Sequence, residues 1–465
     1  MITLPKNPKI KDVPVAVSQL IKINFDFKKL LDPALLAKIN NDQFLFLVGV
    51  ASHEGKNFNS IMNFIKAYIN RIDKTKINLL LEIELTLYNI FLKNYETEET
   101  YNTFYNFITK LYKVTYLKSE NTKNINKILF YVHAPTFLAH TIPLFNILSS
   151  KNNLGIQVSI AANGCKKEFK DKCDQLGVKF YDISDKNHIL TYEKLKNIAN
   201  KYDRIIWQSV PVHLSYFRTI YKKICYWSLK FHPNIPNLMH YIGVFNDGQK
   251  QILYNKNVWK NFNISFKIEN LGSKALDWKK RKLNFGAFCR EELINDTKYW
   301  KAVKLILESN KNAIFHYCGR KSIHKNWIEK LDIDEEQIIY LGWLKDPQSR
   351  LKQMSFLLDG YKLGHGYIAI EAMAAEVPII YPKERKAYGN VENFLIKTSK
   401  EFNIKNINDY KKKYLLCFKN YDQLITMSKM LLEDESFNKF YGKQYKKIAN
   451  KIKGDSFEHF ISLIR

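Results

Sequence analysis

From Lys127 onward the chain repeats one pattern: a short apolar run, a loop, then a segment of helix length. KILFYV (127–132), IQVSIAA (156–162), VKFYDI (178–183) and RIIWQSV (204–210) are such runs, and KKICYWSLK (222–230) follows. Short continuous apolar runs suit strands buried on both faces, as a parallel sheet covered by helices requires. The pattern restarts with LNFGAFCR (283–290), AIFHYCG (313–319), QIIYLGW (337–343), FLLDG (356–360) and VPIIYP (377–382). The expected fold class is α/β, with two Rossmann-like halves in tandem.

The residues before this alternation read differently. Ile61, Ile65, Tyr68, Ile69 and Ile72 recur at helical spacing, as do Leu81, Leu85, Leu87 and Ile90, and TYNTFYNFITKLYKV suggests a further helix. Glycine is nearly absent there. The expected division is a helical accessory domain over 1–122, a first α/β domain over 123–265, and a second over 266–465 carrying the terminal helices. The irregular basic stretch at about 248–282 reads as the connection between the halves, and the last sixty residues read as helical.

Hydrophobic residues make up 46% of the 465 residues, enough to bury large cores. No run of about eighteen apolar residues is present, so no membrane-spanning helix is expected. The start, MITLPKNPKI, lacks the pattern of a secretory leader, which points to a cytoplasmic protein. The six cysteines (Cys165, Cys173, Cys225, Cys289, Cys318, Cys417) form no CxxC pair and read as reduced thiols. A net charge of +28 favours anionic partners. Basic residues are densest at Lys256, Lys260, Lys267, Lys274, Lys279, Lys280, Arg281 and Lys282. Peripheral contact with an anionic membrane fits this charge. No zinc-finger or RNA-binding signature supports specific nucleic-acid recognition.

The segment LLDGYKLGHGYIAIEAMAAEVPIIYP (357–382) carries the chemistry. A strand ending at Asp359 runs into a loop with Gly364, His365 and Gly366. A helix begins near Tyr367 and carries Glu371 one turn in. Glycines let backbone approach a ligand closely, and the free N–H groups of a helix's first turn attract phosphates. A carboxylate one turn further in can accept from both hydroxyls of a ribose.

This segment resembles the nucleotide-sugar signature of GT-B glycosyltransferases, a glycine loop before an EAM-type helix. Other stretches are similar to the branch that holds the O-GlcNAc transferases and the bacterial adhesin N-glucosyltransferases. NFGAFCREELI resembles that branch's first strand of the C-terminal half, whose loop places a basic residue, here Arg290, on the diphosphate. KKICYWSLKFHPNI resembles its strand and turn beneath the nucleotide-sugar, here ending at His232 and Pro233. The resemblance spans roughly residues 125 to 400. It departs at Gly364, where retaining members often carry a glutamate, which favours inversion. It departs again at Glu376-Val377, where a small residue is usual, and at His365, which sits one position earlier than that branch's loop histidine.

The resemblance implies a glycosyltransferase that moves a hexose or N-acetylhexosamine from a UDP-sugar to a protein or glycan acceptor. The donor would lie between the halves, with no bound metal and no cofactor beyond the donor itself. Arg290, Trp343, Lys362, Gly364, His365, Gly366, Tyr367 and Glu371 are the expected donor contacts, with Trp343 stacking on the base. His316 and Arg320, which flank Gly319 at the end of another strand, are further candidates to line the cleft. A general base is expected after the first strand, within HAPTFLAH, where His133, Thr136 and His140 stand. A histidine near neutrality can take a proton from an attacking hydroxyl. His232 is a further catalytic candidate, and Asp247 a weaker one. Two rivals keep some of this: a transferase extending capsular or lipopolysaccharide glycan at the inner membrane face, and a non-catalytic nucleotide- or nucleic-acid-binding protein.

Overall fold

The computed structural model describes residues 8–13, 16–17, 19, 33–53, 58–92, 98–112, 124–133, 135, 141–149, 154–208, 210–228, 240–243, 259–261, 277–344, 347–361, 366–383, 406, 409, 414–451 and 456–465. The chain forms two compact units. One is drawn from residues 1–245, 251–264 and 455–465, the other from 246–250 and 265–454.

The first unit is built on a seven-stranded parallel sheet. Its strands are β1 (Lys127–Val132), β2 (Gln157–Ala162), β3 (Lys179–Asp182), β4 (Arg204–Gln208), β5 (Ile224–Ser228), β6 (His240–Gly243) and β7 (Trp259–Asn261). Their order across the sheet is β3-β2-β1-β4-β5-β6-β7. The period of two along β1 divides its residues between two cores. Leu129 and Tyr131 join Trp207, Phe217 and Tyr226 on one face, and Ile128, Phe130 and Val132 join Ile160 and Trp227 on the other.

Helices Asn41–His53, Phe58–Ile69, Ile77–Ile90 and Glu98–Leu111 cover the first of these faces. Phe44, Ile65, Leu81 and Phe104 belong to one continuous core with Tyr131 and Trp207. Each such side chain contributes about 1.5–3 kcal/mol on burial, so the helical region and the sheet stabilise each other. The helices before residue 112 and the first sheet fall in one compact unit.

The opposite face is covered in part by helix Phe457–Ile464, whose Phe460 ring lies 5.8 Å from Phe130 and 5.1 Å from Trp227. This helix, expected with the second half, belongs to the first unit. Its four apolar residues, Phe457, Phe460, Ile461 and Ile464, follow helical spacing and are buried on this sheet.

The second unit carries a six-stranded parallel sheet ordered β10-β9-β8-β11-β12-β13. Its strands are β8 (Asn284–Ala287), β9 (Ile314–Tyr317), β10 (Ile338–Tyr340), β11 (Phe356–Leu358), β12 (Ile379–Pro382) and β13 (Leu416–Phe418). Strands β7 and β13 lie in segments expected to be irregular and helical. Both sheets repeat one winding: the first strand sends the chain to one side, and the fourth resumes on the other. Each sheet therefore has a topological switch point, at β1/β4 and at β8/β11, where ligands bind beyond the carboxyl ends in such folds.

Glu376, the residue noted for replacing a small one, stands at φ 61°, a left-handed conformation that glycine adopts more easily. Its carboxylate pairs with Lys446 at 2.7 Å, tying it to helix Glu435–Lys451. Arg281, counted in the basic stretch, is buried and donates to the Met354 carbonyl at 3.2 Å and to Asn438 Oδ1 at 2.8 Å. It is a core tie, not a surface charge.

Candidate functional site

In the second unit, Arg290 follows β8 and the glycine turn follows β11, so the two expected phosphate contacts flank the switch point. Gly366 has φ 60° and ψ −124° and immediately precedes helix Tyr367–Ala374. Among the described residues no atom lies within 4 Å of where its Cβ would stand, and the positive φ itself favours glycine. Tyr367 opens the helix, and in its first turn the Ala369 N–H donates to the Gly366 carbonyl at 3.1 Å. Glu371 lies one turn on and is half-buried. Asp359, just past β11, is buried and accepts from the Gly360 N–H at 3.1 Å. Lys362, Gly364 and His365 lie outside the described residues.

The loops after β8, β9 and β10 are tied to one another. Arg290 is exposed, while its neighbour Glu291 is buried. Glu291 Oε2 accepts from the Arg320 N–H at 2.8 Å. A Cβ on Gly319 would meet that oxygen at 2.7 Å, so a side chain there would make the Glu291 carboxylate shift. The Gly319 N–H donates to the Gly342 carbonyl at 3.1 Å, and the Tyr340 hydroxyl donates to the Gly319 carbonyl at 2.9 Å. The Arg320 guanidinium lies 5.3 Å from the centre of the Trp343 ring, within cation–π range. Trp343 is 53% exposed, an unusual state for an indole and one that leaves a face for a flat ligand.

His316 is excluded from this group. It sits within β9, buried, with Nε2 at 3.2 Å from Oδ1 of Asn284, the first residue of β8. Burial pushes its pKa down to about 4. Glu291 was not singled out in the sequence, where its only signal was an acid next to Arg290.

In the first unit, His133 follows β1 and His213 follows β4, and their rings meet edge to face at 5.7 Å. His133 Nδ1 lies 3.3 Å from the Tyr131 hydroxyl. Burial, with His188 nearby, pushes the His133 pKa down to about 4. His213 is fully buried at φ 62°, and burial drives its pKa well below the ordinary histidine range. Its Nε2 lies 2.7 Å from the Leu81 carbonyl, which only an N–H can satisfy, so Nδ1 accepts from the Tyr192 hydroxyl at 2.7 Å. The His213 backbone N–H donates to Glu84 Oε1 at 2.7 Å, and the Tyr112 hydroxyl donates to Oε2 at 2.7 Å. Burial pushes the Glu84 pKa up to about 7. His213 and Glu84 were missed in the sequence because neither sits in a motif. Among the expected bases, His133 is thus a neutral, weakly basic ring within a buried cluster. Thr136, His140, His232 and Asp247 lie outside the described residues, as does much of the basic stretch at 256–282.

All six cysteines are free thiols, with Cys165 exposed and Cys173 and Cys225 buried. Among the described residues no cluster of three or more His, Cys, Asp or Glu could hold a metal ion, and no helix is long and apolar enough to cross a membrane.

No protein-family model and no curated protein matches the chain. Solved structures do. HepE of Anabaena, crystallised with UDP and glucose, is 12% identical, with a TM-score of 0.55 over 73% of this chain and 98% of its own. A mutant of the Thermobaculum terrenum O-GlcNAc transferase is 11% identical, with a TM-score of 0.55 over 99% of this chain and 97% of its own. TarM of S. aureus, in a complex that includes UDP, is 12% identical, with a TM-score of 0.53 over 73% of this chain and 100% of its own. Two Rossmann-like parallel sheets wound alike, and these likenesses, show that the chain has the GT-B fold.

Proposed function

We propose that the chain is a glycosyltransferase that takes its sugar from a UDP-sugar. The observation that carries this reading is the pairing at the second switch point: Arg290 after β8, and Gly366 with Glu371 after β11. The N-terminal turn of helix Tyr367–Ala374, entered through Gly366, suits a diphosphate, and the Glu371 carboxylate suits the ribose. The open face of Trp343, backed by Arg320, suits the uracil ring. Support comes also from the neighbours in fold, of which HepE was solved with UDP-glucose and TarM with UDP.

In this reading an acceptor group displaces UDP at the anomeric carbon. The C1–O bond to the diphosphate breaks as the new bond to the acceptor forms, and negative charge grows on the leaving phosphate. Arg290 and the helix N–H donors oppose that charge. They supply what a divalent metal supplies in other transferases, so transfer is expected to survive EDTA. The acceptor's proton needs a base. His133, His140 and His232 are the candidates for it. The acceptor is a protein or a glycan.

The test is release of UDP from UDP-glucose and UDP-N-acetylglucosamine, with an asparagine-containing peptide or a glycan primer as acceptor. Acceptor-dependent release supports the reading and identifies the acceptor class. Absence of turnover with every donor and acceptor pair, while UDP still binds, would leave a nucleotide-binding protein without transferase activity.

A further inference from the structure

A chain of hydrogen bonds crosses the polar cluster of the first unit, and its direction is fixed from one end. The Leu81 carbonyl, in helix Ile77–Ile90, can only accept, so His213 Nε2 at 2.7 Å carries a hydrogen. Burial keeps the His213 ring neutral, so its Nδ1 accepts. The donor is the Tyr192 hydroxyl at 2.7 Å, from helix His188–Ala199. That spends the single hydrogen of Tyr192, whose oxygen can then only accept from the Tyr131 hydroxyl at 3.5 Å. The Tyr131 oxygen in turn accepts from His133 Nδ1 at 3.3 Å. With these directions every contact in the chain holds one hydrogen. Were Tyr131 to donate to His133 instead, the oxygens of Tyr131 and Tyr192 would meet lone pair to lone pair. Both tyrosines are fully buried, where a lost hydrogen bond is costly.

The surroundings hold this order in place. The period of two along β1 puts His133, just past its carboxyl end, on the side of Tyr131. His213 stands at φ 62°, a backbone conformation uncommon for a residue with a side chain, and its N–H is held by Glu84 Oε1 at 2.7 Å. The other Glu84 oxygen accepts from the Tyr112 hydroxyl at 2.7 Å, so this carboxylate stands beside the chain and not in it. His188 packs its ring 5.0 Å from that of His213, and its backbone N–H donates to Asn78 Oδ1 at 2.8 Å.

We propose that Tyr131, Tyr192 and His213 are positioning residues that hold the His133 hydrogen on Nδ1, so that Nε2 offers a lone pair to the attacking O–H or N–H of the sugar acceptor. What Nε2 receives rests on the transferase reading; the place of the hydrogen on His133 does not. A hydrogen bond into Nε2 turns the hydrogen of the attacking group towards His133 and leaves that group's lone pair for the anomeric carbon. A hydrogen on Nε2 would instead point at that lone pair and occupy it. Which ring nitrogen is protonated is set by the bond the other makes, and here that bond is traced back to Leu81.

The hydrogen is located by long-range proton–nitrogen correlation spectra of the full chain labelled with nitrogen-15 histidine, near neutral pH, with His133→Gln to identify the signals. The natural chain is expected to show a protonated Nδ1 and a bare Nε2 at His133. In Tyr192→Phe the Tyr131 hydroxyl loses its acceptor and turns to His133 Nδ1, so the His133 hydrogen is expected on Nε2. The same variant is expected to lose at least tenfold in kcat, with UDP affinity and the KM for the donor unchanged, because a misoriented attack costs rate and not donor binding. A protonated Nε2 in the natural chain, an unchanged ring in Tyr192→Phe, or a changed ring with kcat intact overturns the proposal. The spectra decide the hydrogen's place even where the natural chain shows no turnover, a result that counts against the transferase reading alone.

Discussion

The buried carboxylate of Glu291 accepts a hydrogen bond from the Arg320 N–H at 2.8 Å, and so fastens the loop after β9 to the loop that presents Arg290. A residue with no direct place on the ligand thereby sets the distance between the two arginines that the donor reading relies on.

Replacing Glu291 with alanine removes a charged acceptor from that part-buried N–H, a bond worth about 1.5–3 kcal/mol. The thermal midpoint is expected to fall by several degrees, and UDP affinity to fall with it. Glu291→Gln keeps an acceptor oxygen and should restore most of both. If glutamine behaves as alanine does, the bond is not what orders the loop.

The Gly366 turn makes a separate prediction. No described atom crowds the missing Cβ, so the expected cost of Gly366→Ala is that of φ 60°, ψ −124°, about 1–3 kcal/mol. If the turn relaxes to escape that strain, its N–H groups move. UDP binding measured by titration should then weaken by roughly tenfold, since each 1.4 kcal/mol is a factor of ten. Near-native stability together with unchanged UDP affinity would show that the turn does not touch the nucleotide.

The polar cluster in the first unit makes stability depend on pH in two opposed ways. Glu84 has its pKa raised to about 7 by burial, so the folded chain holds a proton that the unfolded chain releases above the ordinary carboxyl value of 4.5. Its contribution is complete below that value and is lost as pH rises through 7, by roughly 3–4 kcal/mol at 1.36 kcal/mol per pH unit. His133 runs the other way. With its pKa lowered to about 4, stability is complete above 6.5 and falls as pH drops towards 4. Urea unfolding of Glu84→Gln across pH 4.5 to 8 should lack the loss on the alkaline side and keep the loss on the acid side.

Helix Phe457–Ile464 supplies a test of the first unit alone. Phe460 is fully buried, so Phe460→Ala is expected to cost about 3–5 kcal/mol. Amide exchange in β1 and β5 should accelerate, while β8 and β11 keep their protection.

Much of this was legible in the sequence for a simple reason. Strands buried on both faces leave continuous apolar runs, and β1 appears in the sequence as KILFYV, the same residues that form it in the structure. The glycine turn and the helix starting at Tyr367 were legible because a positive φ before a helix asks for glycine. Long-range packing was not. Nothing local tells that Phe460 will meet Phe130 across more than three hundred residues, or that the helices before residue 112 will share a core with Tyr131 and Trp207. The His213–Glu84 bond was invisible for the same reason, since it joins residues from elements that only the fold brings together.

The most direct test of the central claim is titration of UDP, GDP and CDP into the natural chain, Arg290→Ala and Glu371→Ala. The account predicts that UDP binds most tightly. It predicts that each substitution weakens UDP by roughly tenfold to a hundredfold, as loss of hydrogen bonds to a charged group worth about 1.5–3 kcal/mol requires. Equal affinity for UDP in all three proteins would contradict it.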